Sequence, residues 1–295
     1  MLTGLHFLLT YTCNWECDHC FVFGSPKAKG TFTIAQIREV LAEAKKTGTV
    51  ESVCFEGGEP FLYYAVMLEG IRLAAEAGFS AGIVTNTYWA RADEDARLWL
   101  APLVRAGLGS LTVSDDSLHF GDVEETPAKR AIRAAEALGI RASAIAVEEP
   151  CVVTGDSGGE ELSSGVMFRG RAIEKLSEGL PRRPAGEFTE CPHEDLADPG
   201  RVHLDCYGNV LLCQGLSMGN MWKTPLSELV AAYDPQEHPV VGPLVRGGPA
   251  GLAREYGIET EDGYVDACHM CYEVRKALVD RFPEYLAPRQ LYGLE

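Results

Sequence analysis

Residues 33–55 read TIAQIREVLAEAKKTGTVESVCF, a pattern that predicts one helix followed directly by one strand. Thr33 can cap the helix, and Gln36 three residues later completes a capping box. Gly48 ends the helix, and the apolar run 52–55 is typical of a buried strand. The residues that mark one face of the helix are Ile34, Ile37, Val40, Leu41 and Ala44.

This helix-and-strand unit repeats through the first half of the chain. Four glycines that follow helix-like patterns are separated by 30, 29 and 32 residues: Gly48, Gly78, Gly107 and Gly139. Before the last of them, Thr126 caps a predicted helix and Pro127 occupies its first position. The predicted strands are 5–11, 52–55, 83–85, 111–113, 140–147 and 166–168.

Strands that alternate with helices at such a period predict parallel βα units. Six units predict an α/β fold, a partial (β/α)6 TIM-like barrel whose reactive groups lie on loops at the C-terminal ends of the strands. Residues 179–186 are rich in Gly, Pro and Arg and predict a linker, after which the period is lost. We therefore expect a core domain over 1–185 and a small cysteine-rich α+β domain over 186–295.

The composition narrows the possible partners and compartments. The chain has 26 Lys and Arg against 43 Asp and Glu, a net charge of −17, which disfavours nucleic-acid binding. We expect no membrane contact, because no stretch is long and apolar enough to span a bilayer. The first residues lack a basic leader, so we expect a cytoplasmic protein in which spaced cysteines serve metal binding or catalysis.

Three cysteines follow the first predicted strand with the spacing C-x3-C-x2-C: Cys13, Cys17 and Cys20. Three thiolates can bind three irons of a cubane cluster and leave the fourth iron without a protein ligand. An open position of this kind is typical of a catalytic metal centre. Zinc is the alternative, with His19 as a nearby fourth ligand, but this is not a familiar zinc spacing.

This segment resembles the radical S-adenosylmethionine (SAM) superfamily. Gly57-Gly58-Glu59-Pro60 after the second strand matches its GGEP loop, and Asn86 after the third strand is similar to its common T-N pair. Gly170-Arg171-Ala172 resembles an element of relatives with extra clusters, and the resemblance covers roughly 5–180. The residues to which it assigns SAM binding are His19, Gly57, Gly58, Glu59, Pro60, Asn86, Ser114 and Asp116.

The resemblance implies an oxygen-sensitive enzyme in which Cys13, Cys17 and Cys20 carry a catalytic 4Fe-4S cluster. Reductive cleavage of SAM would give a 5′-deoxyadenosyl radical that takes a hydrogen atom from the substrate. We expect the electron to come from a flavodoxin- or ferredoxin-type donor.

Four further cysteines lie in the second half: Cys191, Cys213, Cys268 and Cys271. This region resembles the auxiliary-cluster domains called SPASM, and the lack of a cysteine after Cys271 favours their shortened form, twitch. The resemblance implies a second 4Fe-4S cluster with four cysteine ligands. A structural zinc remains the alternative, and Cys206 remains open as a replacement for Cys191 or Cys213. We expect Cys54, within a strand, and Cys151, just after one, not to be ligands.

An auxiliary cluster of this kind can accept an electron from a substrate radical, so we expect an oxidoreductase. The few residues before the first strand favour a small-molecule substrate over a peptide. The alternative is a peptide- or protein-modifying enzyme that makes a crosslink, an epimer or an oxidised side chain. A non-catalytic iron–sulfur or zinc protein is disfavoured, because it has no need of a GGEP loop.

Overall fold

The computed structural model describes residues 1–154 and 159–294. The strands within these ranges are β1 (Gly4–Thr10), β2 (Ser52–Gly57), β3 (Ser80–Thr85), β4 (Leu108–Ser114), β5 (Arg141–Ile145), β6 (Cys151–Thr154), β7 (Glu160–Ser163), β8 (Arg201–Asp205), β9 (Asn209–Cys213) and β10 (Leu216–Asn220). The α-helices are α1 (Ile34–Thr47), α2 (Tyr64–Glu76), α3 (Asp93–Ala106), α4 (Ser117–Phe120), α5 (Pro127–Ala137), α6 (Arg171–Leu176), α7 (Leu226–Ala232), α8 (Val241–Tyr256) and α9 (Ala267–Leu278). Short 3₁₀ turns lie at Pro60–Tyr63, Ala185–Glu187 and Arg289–Tyr292.

One eight-stranded sheet organises the protein in the order β10-β9-β8-β1-β2-β3-β4-β5. The six strands from β8 to β5 run parallel, whereas β9 and β10 extend the β8 edge with antiparallel pairs. Within the described residues β5 and β10 do not pair, so the sheet stays open. The predicted α/β class with a mostly parallel sheet is confirmed.

The helix boundaries follow the capping residues that the sequence predicted. The capping box of α1 is formed, because the Thr33 side chain accepts from the Gln36 backbone and the Gln36 side chain accepts from the Thr33 backbone. Thr126 caps α5 by accepting from the Lys129 backbone, and Pro127 is its first residue. The four glycines predicted to follow helices all have positive φ values, as a left-handed helix end requires.

The prediction of a sixth strand at 166–168 is wrong. Val166 and Phe168 are buried in a small apolar cluster with Ala172 and Val265. Their backbone N–H groups donate to side chains, Val166 to Ser164 and Phe168 to Asp266, rather than to a neighbouring strand. The sixth parallel strand is β8, which pairs with β1 at the opposite side of the sheet from β5.

The sheet and the main core continue across the predicted boundary between 185 and 186. β8, β9 and β10 all follow that boundary and belong to the same sheet as β1. The largest apolar cluster contains Leu5 and Phe55 from the first half and Leu204 and Leu278 from the second. The division into domains 1–185 and 186–295 stays a prediction, and its two parts share one sheet and one core.

A cavity of about 810 Å³ lies against the inner face of this sheet. The polar lining residues of β4 alternate along the strand, as expected for side chains that point to one face: Ser110, Thr112 and Ser114. Several of the lining residues are polar or small, including Ser52, Ser80, Gly82, Ser110 and Thr112. Such a lining leaves space where a closed barrel is usually filled by large apolar side chains. None of the described helices is long and apolar enough to cross a membrane.

Candidate active site

The loop that follows β2 lies directly against the segment that follows β1. The backbone N–H of Gly58 donates to the Thr10 carbonyl at 2.7 Å, and that of Glu59 donates to Thr12 at 2.9 Å. A Cβ atom added to Gly57 would lie 2.4 Å from the Thr10 oxygen, and one added to Gly58 would lie 2.3 Å from the Thr12 oxygen. Both glycines are therefore required for the two loops to approach this closely.

Cys13, Cys17 and Cys20 lie on the loop after β1 and line the large cavity at the C-terminal edge of the sheet. Burial raises the pKa of Cys13 to about 11 and that of Cys17 to about 12, and the neighbouring Cys20 raises both. These thiols are therefore protonated at neutral pH until a metal replaces the proton. The structure brings the three predicted ligands to one site.

Arg171 fixes this loop from the second half of the core. Its Nε donates to the Cys17 carbonyl at 2.9 Å and its Nη2 to the Gly24 carbonyl at 2.6 Å. Its backbone N–H donates to the Cys20 carbonyl at 3.1 Å. Residues 170–172, which resemble a family element, therefore contact the cysteine loop directly.

Two predicted SAM-binding residues lie beside the cysteines. Asn86 is buried after β3, and its Nδ2 donates to the Asn14 side chain at 2.9 Å and approaches Cys13 Sγ at 3.7 Å. His19 lines the cavity, and its Nδ1 is buried without a hydrogen-bond partner in the described chain. Burial, with the nearby His119, lowers the His19 pKa to about 4, so the ring is neutral at pH 7. A neutral ring with an unused nitrogen suits a ligand that supplies a hydrogen bond.

The other predicted SAM-binding residues differ in position. Gly57, Gly58 and Ser114 line the cavity. The Glu59 carboxylate points into the protein instead and accepts from the backbones of Phe61 and Asn86 and from the Thr85 hydroxyl. Pro60 is buried at the start of the following 3₁₀ turn.

Asp116 caps α4 and holds His119. Its carboxylate accepts from the His119 backbone at 3.0 Å and lies 2.8 Å from His119 Nδ1, and it also accepts from the Val147 backbone at 3.1 Å. Burial acts to raise the Asp116 pKa, but these contacts lower it on balance. The Asp116 and Glu59 carboxylates thus accept hydrogen bonds from neighbouring loops, and their contact with SAM stays a prediction.

Four of the cysteines in the second half lie around one smaller cavity. Cys191, Cys213, Cys268 and Cys271 all line it. Asp266 caps α9, which carries Cys268 and Cys271 in its first turns. Burial raises the pKa of Cys271 to about 11 and raises that of Cys268 further. Cys213 also lines the large cavity, so the two cysteine sets open towards a shared space.

Two buried arginines flank the second set, and sequence reasoning did not assign them to it. Arg169 Nη1 lies 3.1 Å from Cys213 Sγ, and Arg275 Nε donates to the Cys271 carbonyl at 3.3 Å. Arg275 also donates to the Gln214 carbonyl. The sequence does contain a feature that could have indicated Arg275. It lies one turn after Cys271 in an amphipathic helix, and a charged residue on the buried face of such a helix needs a partner.

Cys206 does not line the smaller cavity. It follows β8, where its carbonyl accepts from Gln36 and Trp222. A Cβ atom added to Gly30 would lie 2.9 Å from Cys206 Sγ, which places this thiol near the start of α1. The geometry thus separates Cys206 from the four cysteines that share the cavity.

The spacing of the thiols bears on which metal they bind. A tetrahedral zinc with Zn–S bonds of about 2.3 Å holds its sulfur atoms less than about 4 Å apart. Over residues 1–154 and 159–294, neither cysteine set has three thiols within 4.8 Å of one another. Both sets are therefore more widely spaced than the ligands of a single zinc ion.

A comparison with protein-family models finds a match, which lies over the cysteine-bearing segment. The model of the radical SAM superfamily matches residues 7–147. This segment matches the radical SAM family. The radical SAM match contains Cys13, Cys17, Cys20 and the GGEP loop, and it stops before the second cysteine set. Members of that family use SAM and a 4Fe-4S cluster.

Curated relatives resemble parts of this radical SAM segment. "Putative peptide biosynthesis protein YydG" of Bacillus subtilis (strain 168) is 26% identical over 117 residues, which are 40% of this chain and 37% of that protein. "S-adenosylmethionine-dependent nucleotide dehydratase" of Selenomonas ruminantium is 30% identical over 80 residues, 26% of this chain and 27% of that protein. The chain thus spans well under half the length of these relatives.

Solved structures of similar size also match. BtrN in complex with AdoMet and 2-DOIA is 15% identical, covers 78% of this chain and 82% of its own, and superimposes with a TM-score of 0.48. Native anSMEcpe with bound AdoMet is 13% identical, covers 96% of this chain and 98% of its own, and has a TM-score of 0.46. Likeness at this level is too low to assign a substrate.

Proposed function

We propose that this protein is a radical SAM enzyme in which Cys13, Cys17 and Cys20 bind a 4Fe-4S cluster with one open iron for SAM. The observation that carries the proposal is the placement of three thiols on one loop, facing a large cavity, inside the segment that matches the family. The wide spacing of the thiols supports a cluster rather than zinc. The neutral, unpartnered His19 Nδ1 supports a ligand beside them.

When bound, the cluster and SAM supply hydrogen-atom abstraction through a 5′-deoxyadenosyl radical. The chain itself positions these groups. Arg171 fixes the cysteine loop through the Cys17 and Gly24 carbonyls, and Asn86 donates towards Cys13. The cavity beside the cysteine loop offers space for SAM and a substrate.

We further propose that Cys191, Cys213, Cys268 and Cys271 bind an auxiliary 4Fe-4S cluster. Arg169 supports this assignment, because its buried guanidinium lies 3.1 Å from Cys213 Sγ and could donate a hydrogen bond to a metal-bound sulfur there. Cys213 lines both cavities, so an electron leaving a substrate radical would have a short route to the auxiliary site. The net reaction that this arrangement favours is the two-electron oxidation of a small molecule, with a flavodoxin- or ferredoxin-type protein as the electron donor.

Peptide modification is the second candidate, and one observation favours it. The relative from Bacillus subtilis carries a name that refers to peptide biosynthesis, and its match covers 40% of this chain. An encoded short peptide beside the gene would favour this candidate. Both candidates use the same two cysteine sites, so they differ in the substrate rather than in the cofactor chemistry.

The experiment compares Cys268→Ala with Cys206→Ala after anaerobic reconstitution. Cys268→Ala should lose about half of the bound iron, keep the cleavage of SAM and lose substrate turnover. Cys206→Ala, a buried cysteine outside the cavity, should keep all of the iron. Normal turnover in the Cys268 variant would contradict the electron-acceptor role. Iron loss in the Cys206 variant would contradict the ligand set.

A further inference from the structure

A polar cluster lies on the face of the sheet that lines the large cavity, and it contains none of the cysteines of the two predicted cluster sites. It consists of His6 on β1, Cys54 and Glu56 on β2, and His203 on β8, and all four residues line the large cavity. The strand register pairs His6 with Cys54 on one side and with His203 on the other. The proposed radical chemistry uses none of these residues.

The distances within this cluster are short. His6 Nδ1 lies 3.2 Å from Glu56 Oε2, and His203 Nε2 lies 3.0 Å from Glu56 Oε1. One ligand atom each of His6, Cys54 and Glu56 lies within 4.8 Å of the other two. Over the described part of the chain this is the one group of three such residues that comes so close together.

The cluster is shielded but has free space beside it. The side chains of His6, His203 and Glu56 are 24%, 16% and 14% exposed, so bulk water reaches them only in part. Across from Cys54 the register places Gly82, which lacks a side chain. A Cβ atom there would lie 3.8 Å from Cys54 Sγ. The Ser110 hydroxyl lies 2.8 Å from the same added atom and borders this side of the thiol, and Cys54, Gly82 and Ser110 all line the cavity.

A hydrogen-bonded network alone explains only part of the cluster. Glu56 between two imidazoles is a satisfied carboxylate. The Cys54 thiol makes no hydrogen bond to any other described residue, and it lies at the same height in the sheet as the two histidines. An imidazole nitrogen, a carboxylate oxygen and a thiol converging at one point form the donor set that zinc and iron(II) prefer over magnesium and calcium.

We propose that His6, Cys54 and Glu56 bind one divalent transition-metal ion of the zinc or iron(II) class. His203 is a positioning residue, because it holds the second carboxylate oxygen of Glu56 and so orients the first towards the ion. Three protein ligands leave a fourth position that faces the cavity, as in catalytic rather than structural zinc sites. The ion would coordinate a carboxylate or hydroxyl oxygen of the substrate. This binding of the substrate rests on the proposed function, whereas binding of the ion does not.

The test uses protein whose two cysteine sites have been filled with iron anaerobically. It is dialysed against Zn²⁺, the bound zinc is counted, and the ligands are identified by X-ray absorption at the zinc edge, to which iron does not contribute. We expect one zinc per chain with one sulfur ligand at about 2.3 Å and nitrogen or oxygen ligands at about 2.0 to 2.2 Å. Cys54→Ser should remove the sulfur ligand, and His6→Ala should abolish retention.

Two further variants complete the test. His203→Ala should weaken zinc affinity by roughly 10- to 100-fold without changing the ligands, as the loss of an orienting partner does. Cys151→Ser, an exposed thiol on β6, is the matched control and should bind zinc like the native protein. Circular dichroism checks that each variant is folded. If a variant fails to fold, Glu56→Gln replaces it with the same expected loss of zinc.

Each remaining outcome decides against the site. Native protein that retains no zinc, or variants at His6 and Cys54 that retain it with an unchanged spectrum, would overturn the proposal. Zinc with four sulfur ligands would place the ion at the second cysteine set, which would overturn this site and also contradict the auxiliary cluster. A protein that does not cleave SAM can still be tested for zinc. The zinc measurement therefore decides the metal site, and SAM cleavage decides the proposed function.

Discussion

Arg171 shows how a single side chain joins two distant parts of the sequence. It reaches the Cys17 and Gly24 carbonyls with two nitrogens of one planar group, while its own backbone donates to Cys20. A guanidinium can make such a two-pronged contact, whereas an ammonium group is a single point charge. The position of the cysteine loop therefore depends on this residue being arginine.

Arg171→Lys should weaken cluster binding at the first site. Lysine can replace one of the two charge-assisted hydrogen bonds, and the loss of the other costs about 1.5 kcal/mol, which corresponds to roughly tenfold faster iron loss. The measurement is the rate of iron loss from the reconstituted protein under a chelator. The control is Arg133→Lys, because Arg133 lies on α5 and forms an exposed ion pair with Asp93. Equal rates in the two variants would refute the role of Arg171.

Glu59 should make stability depend on pH. Burial raises the Glu59 pKa to about 7, above the ordinary value of 4.5, although three donors favour its ionised form. The folded protein thus binds this proton more tightly than the unfolded chain does. Its contribution is present below pH 4.5 and is lost as the pH rises to about 7.

The difference in unfolding free energy between the native protein and Glu59→Gln should therefore fall by on the order of 3 kcal/mol between pH 4.5 and 7. Denaturant titrations of both proteins at several pH values measure it. A difference that stays level or increases over this range would show that folding does not raise the Glu59 pKa.

At the level of elements, the helices and strands of the first half could be predicted because their signals are local. The capping box at Thr33, the cap at Thr126 and the glycines after the helices are each decided within a few residues. The error at 166–168 has a non-local cause. An apolar run there predicts a strand, but its backbone donates to Asp266, a residue almost a hundred positions later.

Thr33→Ala should destabilise the protein through the N-terminus of α1. It removes the hydroxyl that accepts from the Gln36 backbone, and a lost cap of this type costs about 1 kcal/mol. Urea unfolding of the native and variant proteins measures the difference. Thr260→Ala, an exposed residue outside any helix, should change the stability by less than about 0.5 kcal/mol. The same loss in both variants would contradict the capping role.

Gly170 lies between Arg169 and Arg171 and packs directly against the cysteine loop. Its φ is +64°, and a Cβ atom there would lie 2.6 Å from the Cys20 carbonyl oxygen. Gly179 has a similar φ of +73° but nothing within 4 Å of the added atom. Both glycines have a positive φ that strains alanine, and of the two only Gly170 is also crowded.

Gly170→Ala should therefore reduce the iron bound at the first site, whereas Gly179→Ala should reduce thermal stability alone. Iron analysis after reconstitution, with melting curves of both variants, separates the two effects. Full iron content in Gly170→Ala would show that the cysteine loop does not need this close approach.

For the whole molecule, the sequence predicted the fold class but not how its two halves combine. The period of about thirty residues predicts parallel units, and it carries no information about β8, β9 and β10, which extend the sheet beyond β1. The three cysteines after β1 could be found because they share one short motif. The cluster of His6, Cys54, Glu56 and His203 comes from three strands, and its only signal is polar residues at alternate positions of otherwise apolar strands.

The proposed reaction requires that the cluster bound by Cys13, Cys17 and Cys20 keeps one iron without a protein ligand, free to bind SAM. The most direct measurement is the amount of 5′-deoxyadenosine that the reconstituted protein forms anaerobically from SAM and a reductant. The native protein and the exposed-thiol variant Cys151→Ala should both form it, and Cys17→Ala should form none. No product from iron-loaded native protein, or equal product from Cys17→Ala, would contradict the claim.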